Sequence, residues 1–236
     1  MEKKTIGILG GMGPLATVDL FRKIVLNTEA SCDQDHIRIL VDNACHIPDR
    51  TAAIMSGGED PVPAMTAAAK GLEEAGADLL IMPCNTAHNF YEAVQNSVSI
   101  PVLHMIRLTV EELQRHGVKT AALLATNGCV KAGMYQKTAA ELGLGLLTPS
   151  PEQQEFVNGM VYDGIKAGNP LYSADPLIGV TKDLLRQGAE CVILGCTELP
   201  LAWDLYRLSY FPSCDPTTVL ARAAIRAAGG KVIGEK

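Results

Sequence analysis

Gly76-Ala-Asp-Leu-Leu-Ile-Met-Pro-Cys84-Asn-Thr-Ala-His88 recurs in altered form as Gly188-Ala-Glu-Cys-Val-Ile-Leu-Gly-Cys196-Thr-Glu-Leu-Pro200. Aligned without a gap, both stretches read Gly-Ala-acid, an apolar run centred on Ile, and then Cys, at one constant offset of 112 residues (196 − 84 and 188 − 76). Each apolar run has the length of a buried parallel strand, and each Cys falls where that strand would end. The repeat therefore predicts two similar lobes related by a pseudo-twofold axis, with one thiol in the same place in each.

Strand-like and helix-like segments alternate along the whole chain. We predict strands at Thr5–Gly10, Ile37–Asp42, Asp78–Met82, Val102–Met105, Lys119–Leu124, Gly145–Thr148 and Cys191–Leu194. We predict helices at Pro14–Asn27, Pro63–Ala75, Ile106–His116, Lys131–Leu142, Gln153–Ala167, Leu177–Gln187 and Pro216–Ala228. Such alternation with short loops is typical of an α/β fold, in which parallel sheets are flanked by helices.

A second pair of matching segments supports two lobes. Lys4-Thr-Ile-Gly-Ile-Leu-Gly10 resembles Lys119-Thr-Ala-Ala-Leu-Leu-Ala125, each as the first strand of its half. We predict an N-terminal α/β lobe at 1–103, on which the C-terminal helix within 212–236 packs, and a C-terminal α/β lobe at 104–211. Because ligands of open α/β sheets bind beyond the carboxyl ends of the strands, we expect the site in the cleft between the lobes.

Composition narrows the class of protein. The 236 residues are 47% hydrophobic and 19% charged, which is typical of a soluble globular protein. A net charge of −6 argues against a nucleic-acid partner, and no apolar run approaches the roughly 18 residues of a membrane span. Seven cysteines without a disulfide-like spacing fit a reducing compartment, so we expect a cytoplasmic protein. No spacing indicates a metal site.

The thiols of Cys84 and Cys196 are the strongest candidates for chemistry. Two like bases on opposite faces of one small substrate suit a reaction that removes and adds a proton, as racemisation does. Each Cys precedes a predicted helix, whose dipole and backbone N–H groups we expect to lower the thiol pKa. We interpret the remaining cysteines as buried packing groups, with one of them inside a strand: Cys32, Cys45, Cys129, Cys191 and Cys214.

The glycine loop after the first strand has a second interpretation. Gly11-Met-Gly-Pro-Leu-Ala16 fits the loose dinucleotide pattern G-x-G-x-x-A, which would indicate a dinucleotide-dependent oxidoreductase. Pro14 directly after the second Gly weakens that hypothesis. So does Asp42, which lies 29 residues beyond Gly13 (42 − 13) rather than roughly 20. The same glycines would also let backbone N–H groups approach a small carboxylate.

Two cations are candidates for binding an acidic substrate. Arg50 follows Ile47-Pro-Asp in the loop after the second strand, and its guanidinium suits bidentate binding of a carboxylate. Lys166 would supply a further positive charge. The alternative for both is a solvated surface cation, and His88 is interpreted as a polar helix residue without a role in proton transfer.

The motifs GGMGP (10–14), IPDRT (47–51), PCNTAH (83–88), GIKAG (164–168) and GCTELP (195–200) together resemble the cofactor-independent aspartate/glutamate racemase family. They span essentially the whole chain. The glutamate branch carries an Asp-Ser-Gly first loop and a His after its second Cys-Thr pair. Here those places hold Gly-Gly-Met-Gly and Glu198, so the chain is more similar to the aspartate branch.

The resemblance implies a racemase that interconverts L- and D-aspartate without pyridoxal phosphate or any other cofactor, usually as a homodimer. It implies that Cys196 deprotonates the L-enantiomer and Cys84 the D-enantiomer. Its other implied substrate contacts are Met12, Arg50, Asn85, Thr86, Thr126, Lys166 and Thr197. The partner is then a small dicarboxylic amino acid. Broad specificity or action on glutamate stays open, as does the oxidoreductase hypothesis from a different class.

Overall fold

The computed structural model describes residues 3–169 and 171–235, and the chain forms two compact units. The first unit comprises Met1–Leu108 and Thr217–Lys236, and the second comprises Thr109–Pro216. Each unit contains its own parallel sheet with helices packed against it. The predicted α/β class with two helix-flanked parallel sheets is therefore confirmed.

The sheet of the first unit is ordered β2-β1-β3, with β1 (Ile6–Leu9) between β2 (Ile39–Asp42) and β3 (Leu79–Ile81). Ile6 lies opposite Ile39 on one side and Leu79 on the other. All four residues of β1 are buried, which is why this strand is apolar throughout rather than alternating.

Helices cover both faces of this sheet. Leu79 and Ile81 pack in a cluster with residues of the first helix, α1 (Pro14–Asn27), and the last helix, α11 (Pro216–Ala227). Leu80 and Met82 pack in a different cluster, with residues of the helix α3 (Val62–Glu74). Alternate residues of a strand point to opposite faces, so one short segment contributes to two cores. The helices of the first unit are α1 (Pro14–Asn27), α2 (Arg50–Ser56), α3 (Val62–Glu74), α4 (Tyr91–Gln95), the start of α5 (Met105–Arg115) and α11 (Pro216–Ala227), with 3-10 turns at Asp33–Asp35 and Thr86–Phe90.

The sheet of the second unit is ordered β5-β4-β6-β7, and all its pairings are parallel. Its strands are β4 (Thr120–Leu124), β5 (Gly145–Leu147), β6 (Cys191–Leu194) and β7 (Ser213–Cys214). Its helices are the remainder of α5, α6 (Asn127–Ala132), α7 (Met134–Leu142), α8 (Pro151–Gly159), a π-helix (Met160–Lys166), α9 (Asp175–Arg186) and α10 (Glu198–Leu205). Trp203 is buried in the core that these elements share with Cys196.

The transition from α8 to the π-helix depends on two glycines. A Cβ on Gly159 would lie 2.1 Å from the Tyr172 hydroxyl oxygen, and a Cβ on Gly164 would lie 3.3 Å from the same ring. The tyrosine therefore packs directly against helix backbone. π turns are rare in proteins, and those that occur are often found at functional sites. Lys166, at the end of this segment, is therefore a candidate site residue on structural grounds as well.

Several predicted elements differ from the structure. Val102–Met105 is not a strand, because the Gln95 side chain accepts the Val102 N–H at 2.8 Å and only an isolated bridge to Leu80 forms. The helix predicted over Lys131–Leu142 is interrupted at Gly133, which has a positive φ of 69°.

Other elements had no counterpart in the prediction. β7 and α2 are too short to show a clear periodic pattern, while the helices expected after Cys84 and Cys196 are the short segments Thr86–Phe90 with α4 and α10. The units divide within α5 at 108/109 and near α11 at 216/217, since β7 pairs with β6 and stays with the second sheet. No helix within the described ranges is long and apolar enough to cross a membrane.

The glycine loop after β1 is held against the loop after β2. Gly11 has a φ of +85°, and a Cβ there would lie 2.4 Å from the carbonyl carbon of Ala44. Thr17 fixes the same loop, because its hydroxyl accepts from the Gly11 N–H at 2.9 Å and donates to the Gly13 carbonyl at 3.0 Å. This glycine therefore makes room for the chain's own backbone.

Gly11→Ala should lower the free energy of unfolding by about 2–4 kcal/mol, because it adds a backbone clash to the strain of a positive φ. Gly57→Ala is the matched control, since Gly57 has a φ of +66° with nothing within 4 Å of the added Cβ. Its loss should be only about 1 kcal/mol. Urea unfolding followed by circular dichroism measures both, and equal losses would contradict the close approach.

Candidate active site

Cys84 lies just beyond the end of β3, ahead of the 3-10 turn Thr86–Phe90. It is 7% exposed and belongs to the hydrophobic cluster that contains Met12, Ile47 and Ala87. The thiol is thus packed among residues of the two preceding strand-end loops. This arrangement follows from the parallel sheet, in which the carboxyl ends of neighbouring strands meet at one edge.

Arg50 is a buried cation rather than the solvated surface residue of the alternative interpretation. Its Nη1 donates to the carbonyls of Ile47 at 3.0 Å and Pro48 at 2.9 Å, and its Nη2 donates to the Met12 carbonyl at 3.3 Å. The side chain of Asp49 caps α2 by accepting the Ala52 N–H, so Arg50 is the first helical residue. Its guanidinium joins the Met12 loop to the loop before α2.

One edge of the Arg50 guanidinium keeps hydrogen-bonding capacity. Among the described residues no partner is found for its buried Nε, and Nη2 has a second N–H beyond the one given to Met12. The Nε and Nη2 donors lie side by side on the fork, in the geometry that binds one carboxylate with two parallel hydrogen bonds. The three carbonyl contacts fix the orientation of that edge.

His88 supports Cys84 through the backbone. Its Nε2 accepts the Met105 N–H at 3.1 Å, so the proton lies on Nδ1, which donates to the Cys84 carbonyl at 2.8 Å. Tyr91 and His104 pack against the ring. Burial first, and then the neighbouring His104, lower the pKa of His88 to about 3. The imidazole is therefore neutral and ties the Cys84 turn to the start of α5.

In the second unit, Cys196, Thr197 and Glu198 form a local group between β6 and α10. Cys196 is 8% exposed, and its Sγ donates to Glu198 Oε2 at 2.9 Å. The Thr197 hydroxyl is 3.4 Å from the same oxygen. Lys166, at the end of the π-helix, places its Nζ 3.6 Å from Glu198 Oε1 and over the ring of Tyr162. A buried carboxylate thus lies between a thiol and an ammonium group.

The prediction of a lowered thiol pKa is wrong for Cys196. Burial is the larger cause and the negative charge of Glu198 the next, and together they raise the pKa of Cys196 well above its ordinary value. Lys166 opposes this shift. The α10 N-terminus does not compensate, because Glu198 occupies the first helical position and places a full negative charge there.

The other predicted contacts are buried, each in the unit to which it belongs. Asn85 and Thr86 follow Cys84 directly, and Thr126 caps α6 by accepting the Cys129 N–H. The side chain of Met12 packs in the core, so its backbone is the part that faces Arg50.

The structure corrects the interpretation of the remaining cysteines. Cys129 and Cys191 are buried as predicted, and Cys191 lies in β6. Cys32 and Cys45 are exposed, and Cys214 is half-buried, because these three lie in loops or on a two-residue strand at the edge of a sheet. The packing interpretation is therefore wrong for Cys32 and Cys45.

The sequence pattern did not identify Glu198 and His88 as members of these groups. The available signal is spacing: Glu198 lies two residues after one thiol, and His88 lies four residues after the other. Such spacing suggests proximity where a helical turn follows the thiol, but it does not show which way each side chain points.

Comparison with known proteins decides the family. The family model described as Asp/Glu/Hydantoin racemase matches residues 9–224. The chain belongs to the Asp/Glu/hydantoin racemase family. The match spans both units and both cysteine motifs, and it places the Gly11 loop in a racemase rather than an oxidoreductase.

Individual relatives align with this chain over nearly its full length. The broad-specificity amino-acid racemase RacX of Bacillus subtilis is 30% identical over 224 residues, which cover 93% of this chain and 96% of the relative. The structure of Picrophilus torridus aspartate racemase is 32% identical with a TM-score of 0.83, covering 97% of this chain and 96% of that one. An aspartate racemase homologue from Pyrococcus horikoshii is 30% identical with a TM-score of 0.77, covering 96% and 99%.

Acid should destabilise this family member through His88. Its pKa is about 3 in the folded chain against an ordinary 6.5, so the unfolded chain binds the proton first as the pH falls. The contribution of the neutral His88 imidazole to the free energy of unfolding is fully present above pH 6.5. It is lost between pH 6.5 and pH 3, at about 1.4 kcal/mol per pH unit. The loss from pH 7 to pH 5 should be about 2 kcal/mol.

The matched variant is His88→Asn, whose amide can donate to the Cys84 carbonyl but does not titrate. Its unfolding free energy should fall by about 2 kcal/mol less than that of the wild type between pH 7 and pH 5. The half-buried His104 is present in both proteins, so the difference isolates His88. Urea midpoints at the two pH values measure it, and parallel losses would show that His88 is not the group that titrates.

Proposed function

We propose that the chain racemises a dicarboxylic amino acid, aspartate before others, with Cys84 and Cys196 as the two proton-transfer groups. The observation that carries the proposal is the repeated placement of a nearly buried thiol just beyond the end of a parallel strand, once in each unit. Membership of the Asp/Glu/hydantoin racemase family supports the reaction type.

In the proposed reaction one thiolate removes the α-proton, and the electron pair of the broken C–H bond stays on the substrate. The thiol of the other cysteine then donates its proton to the opposite face of the planar carbon. Cys196 acts as the base on the L-enantiomer and Cys84 on the D-enantiomer. No electrons are exchanged with a redox partner, so the proposed reaction needs no redox cofactor.

Arg50 supports a substrate with a second carboxylate. A buried guanidinium whose Nε–Nη2 edge keeps donors available can bind a carboxylate with two hydrogen bonds. Since the other donors are held by backbone carbonyls, the edge is oriented before the ligand arrives. Aspartate is favoured over glutamate by the likeness to the Picrophilus and Pyrococcus structures, while the likeness to RacX keeps broader specificity as the second candidate.

The remaining predicted contacts are assigned to the α-carboxylate. Removal of an α-proton places negative charge on the carboxylate, and oriented donors stabilise it by a few kcal/mol each, as estimated for oxyanion sites. Hydroxyl, amide and backbone donors at the strand ends suit this role: Met12, Asn85, Thr86, Thr126 and Thr197. Lys166 is assigned, with Arg50, to the side-chain carboxylate.

Racemisation of L-aspartate in D₂O without added cofactor tests the proposal. Aspartate should gain α-deuterium while its optical activity decays to zero, because each inversion takes the incoming proton from an exchangeable thiol. Cys84→Ser and Cys196→Ser should each slow racemisation by at least about 100-fold, since each enantiomer needs one base and one acid of the pair. Nuclear magnetic resonance and polarimetry measure the two processes.

Cys32→Ser is the matched control, since that thiol is exposed and lies outside both motifs. It should racemise at the wild-type rate. A Cys84→Ser protein that is as active as the wild type would overturn the two-thiol mechanism. The same exchange measured over the other amino acids tests specificity, and faster exchange of an apolar amino acid would favour the broad-specificity candidate.

The outer face of α1 supports the proposed homodimer. Leu15 and Val18 are 63% and 62% exposed, and further apolar side chains on α1 and on the neighbouring strand β2 are exposed as well: Phe21, Val25, Leu26 and Val41. A shallow depression beside them is lined by Thr17, Val18, Phe21, Val41 and Asn43. An apolar helix face of this kind is suited to contact with another protein.

A second copy is the occupant that we propose for this face. Two such faces would together bury on the order of 1,000 Å², which is near the lower limit for a specific interface. A twofold axis would pair α1 with its own copy, so the apolar stripe meets an equal stripe and needs no other partner. We also propose a cytoplasmic location, since all seven cysteines lie within the described residues and are free.

Sedimentation velocity tests the dimer. The molar mass obtained for the wild type should be twice the 25.1 kDa of a single chain. Val18→Glu combined with Leu26→Glu should give the monomer, because two charges cannot be buried unpaired in an apolar interface. Leu205→Glu is the control, since Leu205 is 54% exposed and lies on α10. A monomeric wild type, or a dimer that survives the double substitution, would contradict the proposed interface.

A further inference from the structure

Glu198 is a buried acid that the proposed two-thiol reaction leaves without a role. It is 6% exposed at the first position of α10, two residues after Cys196. One carboxylate oxygen accepts the Cys196 thiol at 2.9 Å, and the other lies 3.6 Å from Lys166 Nζ. A carboxylate is rarely buried unless it is paired, and here one of its partners is the candidate catalytic sulfur.

The arrangement keeps the proton on Cys196 in the absence of substrate. Burial disfavours the thiolate, and the adjacent negative charge of Glu198 disfavours it further, so the pKa of Cys196 is well above its ordinary value. Glu198 and Lys166 are the charged groups that act on this thiol among the described residues. A thiol that must act as a base is thus held in its protonated form.

The contact between Cys196 and Glu198 explains how a base can nevertheless form. While the Cys196 thiol keeps its proton beside the Glu198 carboxylate, these two groups share one proton. Cys196 becomes a thiolate at this proton count only when the carboxylate takes that proton. Glu198 Oε2 is already in hydrogen-bond contact with Cys196 Sγ, so the proton has an acceptor without passing through solvent.

We propose that Glu198 is a positioning residue that stores the proton Cys196 must lose before it can act as a base. In this step the S–H bond of Cys196 breaks, an O–H bond forms on Glu198 Oε2, and the electron pair stays on sulfur. The inference rests on the proposed racemase function. The transfer is unfavourable in the empty site, and the α-ammonium group of a bound amino acid stabilises the thiolate that results.

Lys166 acts on both members of this pair. Its positive charge lowers the pKa of Cys196, and it lies close to the carboxylate that would receive the proton. The π-helix sets its place, since Lys166 is the last residue of that segment and the segment packs against α10. Removal of Lys166 and removal of the Glu198 charge should therefore change the reactivity of Cys196 in opposite directions.

Glu198→Gln tests the proposal, since the amide keeps the shape of the side chain but carries no charge and cannot store the proton. Iodoacetamide alkylation of Cys196 at pH 7.5, followed by peptide mass spectrometry, should become at least about threefold faster because the thiolate is less disfavoured. Racemisation at the same pH should become about 100-fold slower. Unfolding would also expose the nearly buried Cys196 and stop turnover, so the discriminating measurement is the pH dependence of alkylation in a variant that circular dichroism shows to be folded, and its midpoint should lie at lower pH than in the wild type.

The equilibrium between the two enantiomers limits how the Glu198→Gln substitution can change kcat/KM. L- and D-aspartate have equal free energies in solution, so kcat/KM must fall equally in both directions. Activity of the Gln variant should recover as the pH rises, because the thiolate then forms by loss of the proton to solvent. Glu198→Asp should recover part of the neutral-pH rate, since it restores a carboxylate. Glu152→Gln removes an equal charge from an exposed position of α8 and should change neither rate.

Three outcomes would overturn the proposal. One is a Glu198→Gln protein with the wild-type rate and pH profile. Another is unchanged alkylation of Cys196 in that variant when it is folded. If it does not fold, Lys166→Met gives the opposite test, and alkylation that is not slowed overturns the coupling. Should the wild type racemise no amino acid, the proposed function fails, whereas the alkylation results still decide whether Glu198 controls the thiol.

Discussion

Hydrogen bonding between parallel strands determines where each unit presents its polar groups. β1 is paired on both sides, as is β4, and helices cover the faces of the sheets. Strands in this position are apolar along their length, so functional side chains are confined to the segments after the strand ends. Arg50, Cys84 and Cys196 all lie in segments that follow strands in this way. The positions of these candidate residues in their own units are therefore a consequence of sheet topology.

Each unit compensates a buried charge by a different means. The guanidinium of Arg50 is surrounded by backbone carbonyls, which leave its positive charge without a carboxylate among the described residues. The carboxylate of Glu198 is paired with Lys166 and a thiol. The first arrangement favours an anionic ligand, while the second keeps the proton on the Cys196 thiol beside a carboxylate. The repeated thiols thus have unlike surroundings, although their backbone positions are alike.

Patterns of apolar residues predicted most of the fold. The bounds of α1 and β6 agree with the structure, because Pro14 starts the helix and the β6 run is wholly buried. The polar environment of the thiols was not predictable in the same way. The helix dipole alone suggested a lowered pKa for Cys196, but burial and the charge of Glu198 outweigh it. Those effects depend on tertiary packing, which local sequence does not encode. The bounds of short helices such as α10 are not predictable for a related reason, since these helices contain too few turns to show periodicity.

Trp203 gives the second unit an optical property of its own. It is the single tryptophan of the chain, it lies on α10, and it shares a hydrophobic cluster with Cys196. Indole emission responds to nearby charge, so a change in the protonation of Cys196 would be expected to change the fluorescence of Trp203. Such a change would be measurable without an added label and without modification of either sulfur.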